Sequence, residues 1–145
     1  YLAGGPTLEG MLFVRRICGF DLSAFDAFAP SMLATALDEV PHEVLSDDIE
    51  LMRFDLRDGK FPAGGVTLAL RATRPGVCVG VVQWIRLQLD AHTRFENRPA
   101  PGTPFNAHWT HIIHRFPKLV RVAAGDEVPI LFRHDRTQIG MQLLE

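Results

Sequence analysis

Three imidazoles at positions 108, 111 and 114 crowd the run FNAHWTHIIHRF, residues 105–116, with Trp109 between the first two. Neutral imidazoles ligate zinc and iron and serve as general bases, so the spacing invites a metal or proton-transfer reading. A metal needs the rings to converge on one point. On a helix, positions i, i+3 and i+6 drift around the cylinder, and Ile112–Ile113 beside aromatics reads better as strand. In a strand, His108 and His114 share a face about 20 Å apart at ~3.3 Å per residue, and His111 points the opposite way. The spacing alone builds no coordination shell, so no metal ligand is assigned. His111 and His114 read as strand-surface or barrel-wall residues. His108 reads either as a loop histidine satisfied by backbone or as a group aimed at a ligand.

Other chemistry is thin. No Gly-x-Ser-x-Gly elbow is present, and neither Cys18 nor Cys78 lies in a basic context that would activate a thiol. Both cysteines read as small core residues, and two isolated thiols fit a reducing, cytoplasmic setting. The Ala-Gly-Gly runs at 3–5 and 63–65 lack the strand–GxGxxG–helix context of a dinucleotide site.

The elements that must position these residues are mostly β. GMLFVRRICGF (10–20) reads as a strand, and DLSAFDAFAPSMLATALDEV (21–40) shifts to helical spacing. Pro30 divides the latter into two short helices, with Asp21 and Ser23 as candidate caps of the first. DIELMRFDL (48–56) alternates as a strand with a bulge near Met52, and RDGK turns. VTLALRATR places Val66, Leu68, Leu70 and Ala72 on one face. VCVGVVQWIRLQLD reads as the longest strand, with Val77, Val79 and Val81 on one face and Trp84, Arg86 and Gln88 on the other. VPILFRHD and TQIGMQLLE form a terminal hairpin across Asp135–Arg136. The fold expected is mostly β, a barrel or sandwich of about seven to ten strands, with a short helical arm near the N-terminus. One domain over residues 1–145 is expected, and the opening Tyr1 suggests a piece of a longer protein.

Charge narrows the partners. The net charge of −2 excludes a basic nucleic-acid footprint, and no apolar run is long enough to span a bilayer, so neither nucleic acid nor membrane is expected as partner. Residues 1–60 carry eleven acids and five bases, and the window 38–50 holds six acids and no base. That window is a solvated face or a rim that concentrates a cationic partner.

Four stretches, ICGFDLSAFDAFAP, LSDDIELMRFDL, VGVVQWIRLQLD and FNAHWTHIIHRFPKLVRVAAGDEV, occur in that order. In that order the chain resembles the C-terminal β-barrel half of protein arginine methyltransferases. The matching residues are Gly19–Phe20–Asp21–Leu22–Ser23, Trp84, His108–Trp109 and Gly125–Asp126, and the likeness covers residues 12 to 145. It implies that His108 helps hold the substrate guanidinium with acidic groups from the other half, and that Asn106 and Trp109 line the substrate side. It implies that residues 19–46 form a dimerisation arm, with Phe20, Phe25, Phe28, Met32 and Leu33 on its apolar surface, giving a homodimer of the parent protein. An Arg-containing protein substrate and S-adenosylmethionine follow for the parent. The cofactor fold and its paired glutamates belong to the half absent from this chain, which alone is expected to bind no cofactor and to be inactive. Ala107 stands where the family has Thr, and Thr110–His111 where Lys-Gln is common. Two further readings stay open. One is a non-catalytic interaction barrel. The other is a metal-binding cupin-like barrel, suggested by AAGDEVPILFRHD with its Gly-Asp turn and His134, although no His-x-His with a following Glu accompanies it.

Overall fold

Residues 1–100 and 109–144 are described by a computed structural model. The chain begins with β1 (Leu2–Gly4), α1 (Pro6–Leu12), β2 (Arg16–Ile17), β3 (Phe20–Asp21), a 3-10 helix (Ser23–Phe28), β4 (Met32–Thr35) and β5 (Glu43–Val44). Next come β6 (Gly64–Arg71), β7 (Gly76–Gln83), β8 (Arg86–Gln88) and β9 (Arg94–Glu96). The last three are β10 (His111–Val122), β11 (Glu127–His134) and β12 (Ile139–Leu143). The mostly-β class expected from sequence is the class adopted. The described residues hold twelve strands, more than the seven to ten expected, because several pairings span only two or three residues and leave no period to read.

Every pairing among the described residues is antiparallel. A five-stranded sheet runs β4–β10–β7–β1–β5, a three-stranded sheet runs β12–β11–β6, and β2–β3 and β8–β9 stand as separate hairpins. β7 sits at the middle of the large sheet because its run GVCVGVVQ has no polar face to give to water. Register passes from Ala3↔Gly80 to Gly4↔Cys78, leaving Val79 as an extra residue. The parity flips there. Cys78 and Val81 face one core with Leu2, Leu70, Phe116, Val128 and Ile130, between the two larger sheets. Val79 and Val82 face the other, with Leu8 and Leu12 of α1, Leu37 and Ile113. Strict alternation put Val77, Val79 and Val81 together, and the bulge is why that fails. Each buried Leu or Ile contributes about 1.5–3 kcal/mol, so these two clusters carry most of the fold's stability. Gly80 is obligatory, since a Cβ there would lie 2.2 Å from the His114 carbonyl oxygen.

Several sequence expectations are corrected. The expected strand at 10–20 is instead the end of α1 and the small β2–β3 hairpin. Pro6 opens the helix, and Leu8 and Leu12, four apart, are both buried. Cys18 and Gly19 turn the hairpin with φ of 50° and 87°, the left-handed pair a two-residue loop needs. Cys18 is therefore exposed rather than in the core, and only Cys78 is buried. Of the expected helical pair, the first is the 3-10 helix, entered through Asp21 Oδ1 accepting the Ser23 N–H at 3.0 Å. The second is strand β4, because Met32–Thr35 gains a ladder with His111–His114. No strand forms over 48–56. Phe54 packs edge-on against Phe61 and His134 instead. The run 77–90 breaks at Trp84–Ile85 into β7 and β8, and β10, at twelve residues, is the longest strand. The terminal hairpin forms as expected, its turn closed by Asp135 Oδ1 accepting the N–H groups of Thr137 and Gln138. No helix among the described residues is long and apolar enough to cross a membrane.

Candidate functional site

β10 carries the histidine run out of the sheet toward Trp109. His108 and Asn106 lie outside the described residues. Trp109 is 44% exposed, and its indole packs at 5.9 Å on the ring of Phe95 in β9. An aromatic wall open to solvent is a surface on which a planar cation stacks well.

His111 and His114 are both buried, not on the strand surface. The signal was available: IIHRF offers no polar face, so β10 is covered on both sides. Nδ1 of His111 accepts the Leu37 N–H at 3.1 Å, so Nε2 holds the proton and donates to the Asn97 carbonyl at 2.9 Å. His114 Nε2 pairs with Gln83 Oε1 at 2.7 Å. Among the described residues no three metal-ligating side chains converge.

Burial lowers the His114 pKa to about 4. The unfolded chain therefore binds a proton near pH 6.5 that the folded chain refuses until about pH 4. This contribution to stability is complete above pH 6.5 and declines as the pH falls through that window. Urea unfolding is expected to show a loss of about 2 kcal/mol between pH 6.5 and 5 from this residue, at ~1.4 kcal/mol per pH unit. His114→Leu should flatten that slope; a slope that persists contradicts the assignment.

Around the aromatic wall the charges are committed to one another. Glu96, next to Phe95, accepts from Arg86 at 2.9 Å and from the Trp84 indole at 3.1 Å, and Arg94 contacts it too. Those hydrogen bonds, Arg86's first, hold its carboxyl down at about 2. Arg98 forks onto Asp48 at 2.7 and 3.1 Å, with its guanidinium 5.3 Å over the Tyr1 ring and 5.7 Å over Trp84. The acidic window 38–50 is thus largely spent inside the molecule. Asp38 accepts the Ala100 N–H at 2.6 Å, Glu43 lies 3.6 Å from Arg74, and Glu50 pairs with Arg53. The cationic-rim reading loses most of its carboxylates. Burial pushes the Cys78 thiol up to about 11, which makes it a poor nucleophile.

The arm residues divide. Phe20 is 71% exposed and Phe28 85%, and Phe25 and Met32 are exposed beside them. Leu33 instead packs against the cluster under α1 and belongs to the core as much as to the arm. Two open grooves of about 540 Å³ each lie elsewhere, one along α1 and β2 and one between β10 and the terminal hairpin; Trp109 lines neither.

Sequence reading missed Arg115. Its buried guanidinium lies 3.4 Å from Asp26 Oδ1 and 4.1 Å over the Phe13 ring, and its Nε donates to the Leu12 carbonyl at 2.7 Å.

No protein-family model matches the chain. It is 30% identical over 113 residues to an arginine N(omega)-methyltransferase of Streptomyces achromogenes subsp. streptozoticus. The match takes in 77% of this chain and 30% of that relative, so the chain spans under a third of the relative's length.

Proposed function

We propose that this chain is the substrate-side barrel and arm of an S-adenosylmethionine-dependent arginine methyltransferase, completed by a cofactor-binding half outside these residues. The similarity to the Streptomyces enzyme, over three quarters of the chain, is the observation that carries the reading. The exposed Trp109–Phe95 wall agrees with it, since a guanidinium is planar and charged at every working pH. By the resemblance, His108 and Asn106, which precede Trp109 in the chain, help orient the acceptor nitrogen. Methylation needs orientation and nearby carboxylates more than a strong base. The acceptor is the guanidinium of arginine, within a protein as the resemblance implies, or free. The setting is cytoplasmic, in keeping with two unpaired cysteines.

This reading divides the labour, and calorimetry tests the division. Titration with S-adenosylmethionine should give no binding to the 145-residue chain and saturable binding to the complete protein. Binding to the chain itself would overturn the division.

Phe20, Phe25, Phe28 and Met32 are each exposed apolar side chains that solvent alone does not favour. In this reading they join two copies of the complete protein. Phe28→Asp should weaken the dimer at least about thirtyfold, the effect of losing one central aromatic anchor. Sedimentation at low micromolar concentration checks it, and an unchanged dimer would place the interface elsewhere.

A further inference from the structure

Among the described residues β8 and β9 pair only with each other, as Arg86↔Glu96, Leu87↔Phe95 and Gln88↔Arg94. A two-stranded hairpin is marginal in water by itself, so something must hold this one. Its far end is closed by Asp90, whose Oδ1 accepts the N–H groups of His92 and Thr93 at 2.8 and 2.7 Å. Its root is closed by Asn97. There Oδ1 accepts the Ile85 N–H at 2.8 Å, and the Asn97 N–H donates to the Ile85 carbonyl at 3.2 Å. These bonds stiffen the hairpin along its length and leave its tilt against the body to a side chain.

That side chain is Glu96. Alternation along β9 turns Arg94 and Glu96 to one face and Phe95 to the other. On its face, Glu96 Oε1 accepts the Trp84 indole N–H at 3.1 Å and the Arg86 guanidinium at 2.9 Å, and Arg94 contacts the other oxygen. Trp84 packs at 5.4 Å on the buried Tyr1 ring, so the bond runs from the hairpin into the core. The Glu96 side chain is 16% exposed, unlike the ion pairs laid out on a surface that contribute little. On the opposite face, Phe95 meets the Trp109 indole.

We propose that Glu96 is a positioning residue for the aromatic wall. Its carboxylate locks the β8–β9 hairpin to the core through Trp84, and the stiff hairpin then holds Phe95 against Trp109. The proposal rests on the reading of that wall as the face on which an acceptor guanidinium stacks. An indole free to turn must be ordered when the cation arrives, whereas one backed by a second ring is already in place. A carboxylate suits the task because it accepts from several donors at once.

Labelling the complete protein with 5-fluorotryptophan gives Trp109 its own fluorine resonance, assigned by its disappearance in Trp109→Phe. Phe95→Leu removes the ring beside the indole and should shift that resonance by more than its linewidth. Glu96→Ala should shift it in the same direction, although residue 96 lies on the opposite face of β9. Glu96→Gln keeps an oxygen for the Trp84 N–H and should return the resonance at least halfway to its native place. Methylation kinetics read the consequence. KM for an arginine acceptor should rise about three- to fivefold in Phe95→Leu and Glu96→Ala, the loss of one exposed cation–π contact, with KM for S-adenosylmethionine unchanged. Should Glu96→Ala fail to fold, Trp84→Phe deletes the indole donor, leaves a ring on Tyr1, and should shift the Trp109 resonance alike. An unmoved resonance in Phe95→Leu or in the folded clamp variant, a Gln variant as displaced as Ala, or an unchanged acceptor KM overturns the proposal. A complete protein that transfers no methyl group in any form overturns the methyltransferase reading instead, and the resonance comparison still decides the clamp.

Discussion

Replacing His108 by Ala in the complete protein is expected to lower turnover about a hundredfold, the usual effect of letting a reacting group lose its orientation. The thermal midpoint should move by no more than a few degrees, so that the loss of rate is separable from a loss of fold. The size follows from the chemistry of the acceptor. A guanidinium cannot be deprotonated to any useful extent before attack, so a methyl transfer of the proposed kind gains rate chiefly by aiming one nitrogen at the methyl donor. A side chain that shares in that aim is lost from the transition state and only partly from the ground state, so kcat should fall more than KM rises. An unchanged rate removes His108 from the site.

Asp26→Ala is expected to cost about 3–5 kcal/mol of stability, the penalty for stranding a buried cation. Arg115 projects from β10 between α1 and the 3-10 helix, and Asp26 Oδ1 meets both its guanidinium at 3.4 Å and the Val14 N–H at 2.8 Å. One carboxylate oxygen thus joins three parts of the chain. Asp26→Asn keeps an acceptor for Val14 without the charge and should lose less. Urea unfolding of the three forms measures both values. A loss below about 1 kcal/mol in the Ala variant, the range of an exposed pair, would show that the charge is effectively solvated. The same node anchors the 3-10 helix that presents Phe25 and Phe28, so Asp26→Ala should also weaken the arm's apolar surface.

How much of this was legible in sequence differs by element. The terminal hairpin and β6 were, because alternation with a turn at each end is a local property. β4 read as helix, since its Met32 and Leu33 also fit a helical stripe and only pairing with β10, about eighty residues away, decides for strand. β1 and β5 are too short to carry a period and exist because β7 offers an edge to one and β1 to the other. At the site, Trp109 and the exposed phenylalanines could be named from motif and composition. The roles of His111 and Arg115 could not, because their partners, Leu37 and Asn97, and Asp26 and Leu12, lie from 14 to 103 residues away. Three histidines at equal spacing looked like one constellation. His111 and His114 turn out to be two separately buried groups, each bonded to different partners.

In the proposed division of labour, the arginine side of a methyl-transfer site resides in this chain. The most direct measurement is methyl transfer by the complete protein from labelled S-adenosylmethionine, with free arginine and an arginine-containing peptide as separate acceptors, followed by identification of the labelled residue. Label on a guanidinium nitrogen of either acceptor, appearing about a hundredfold more slowly in His108→Ala, is the expected result. Absence of label from both acceptors, or label on any other group, would contradict it.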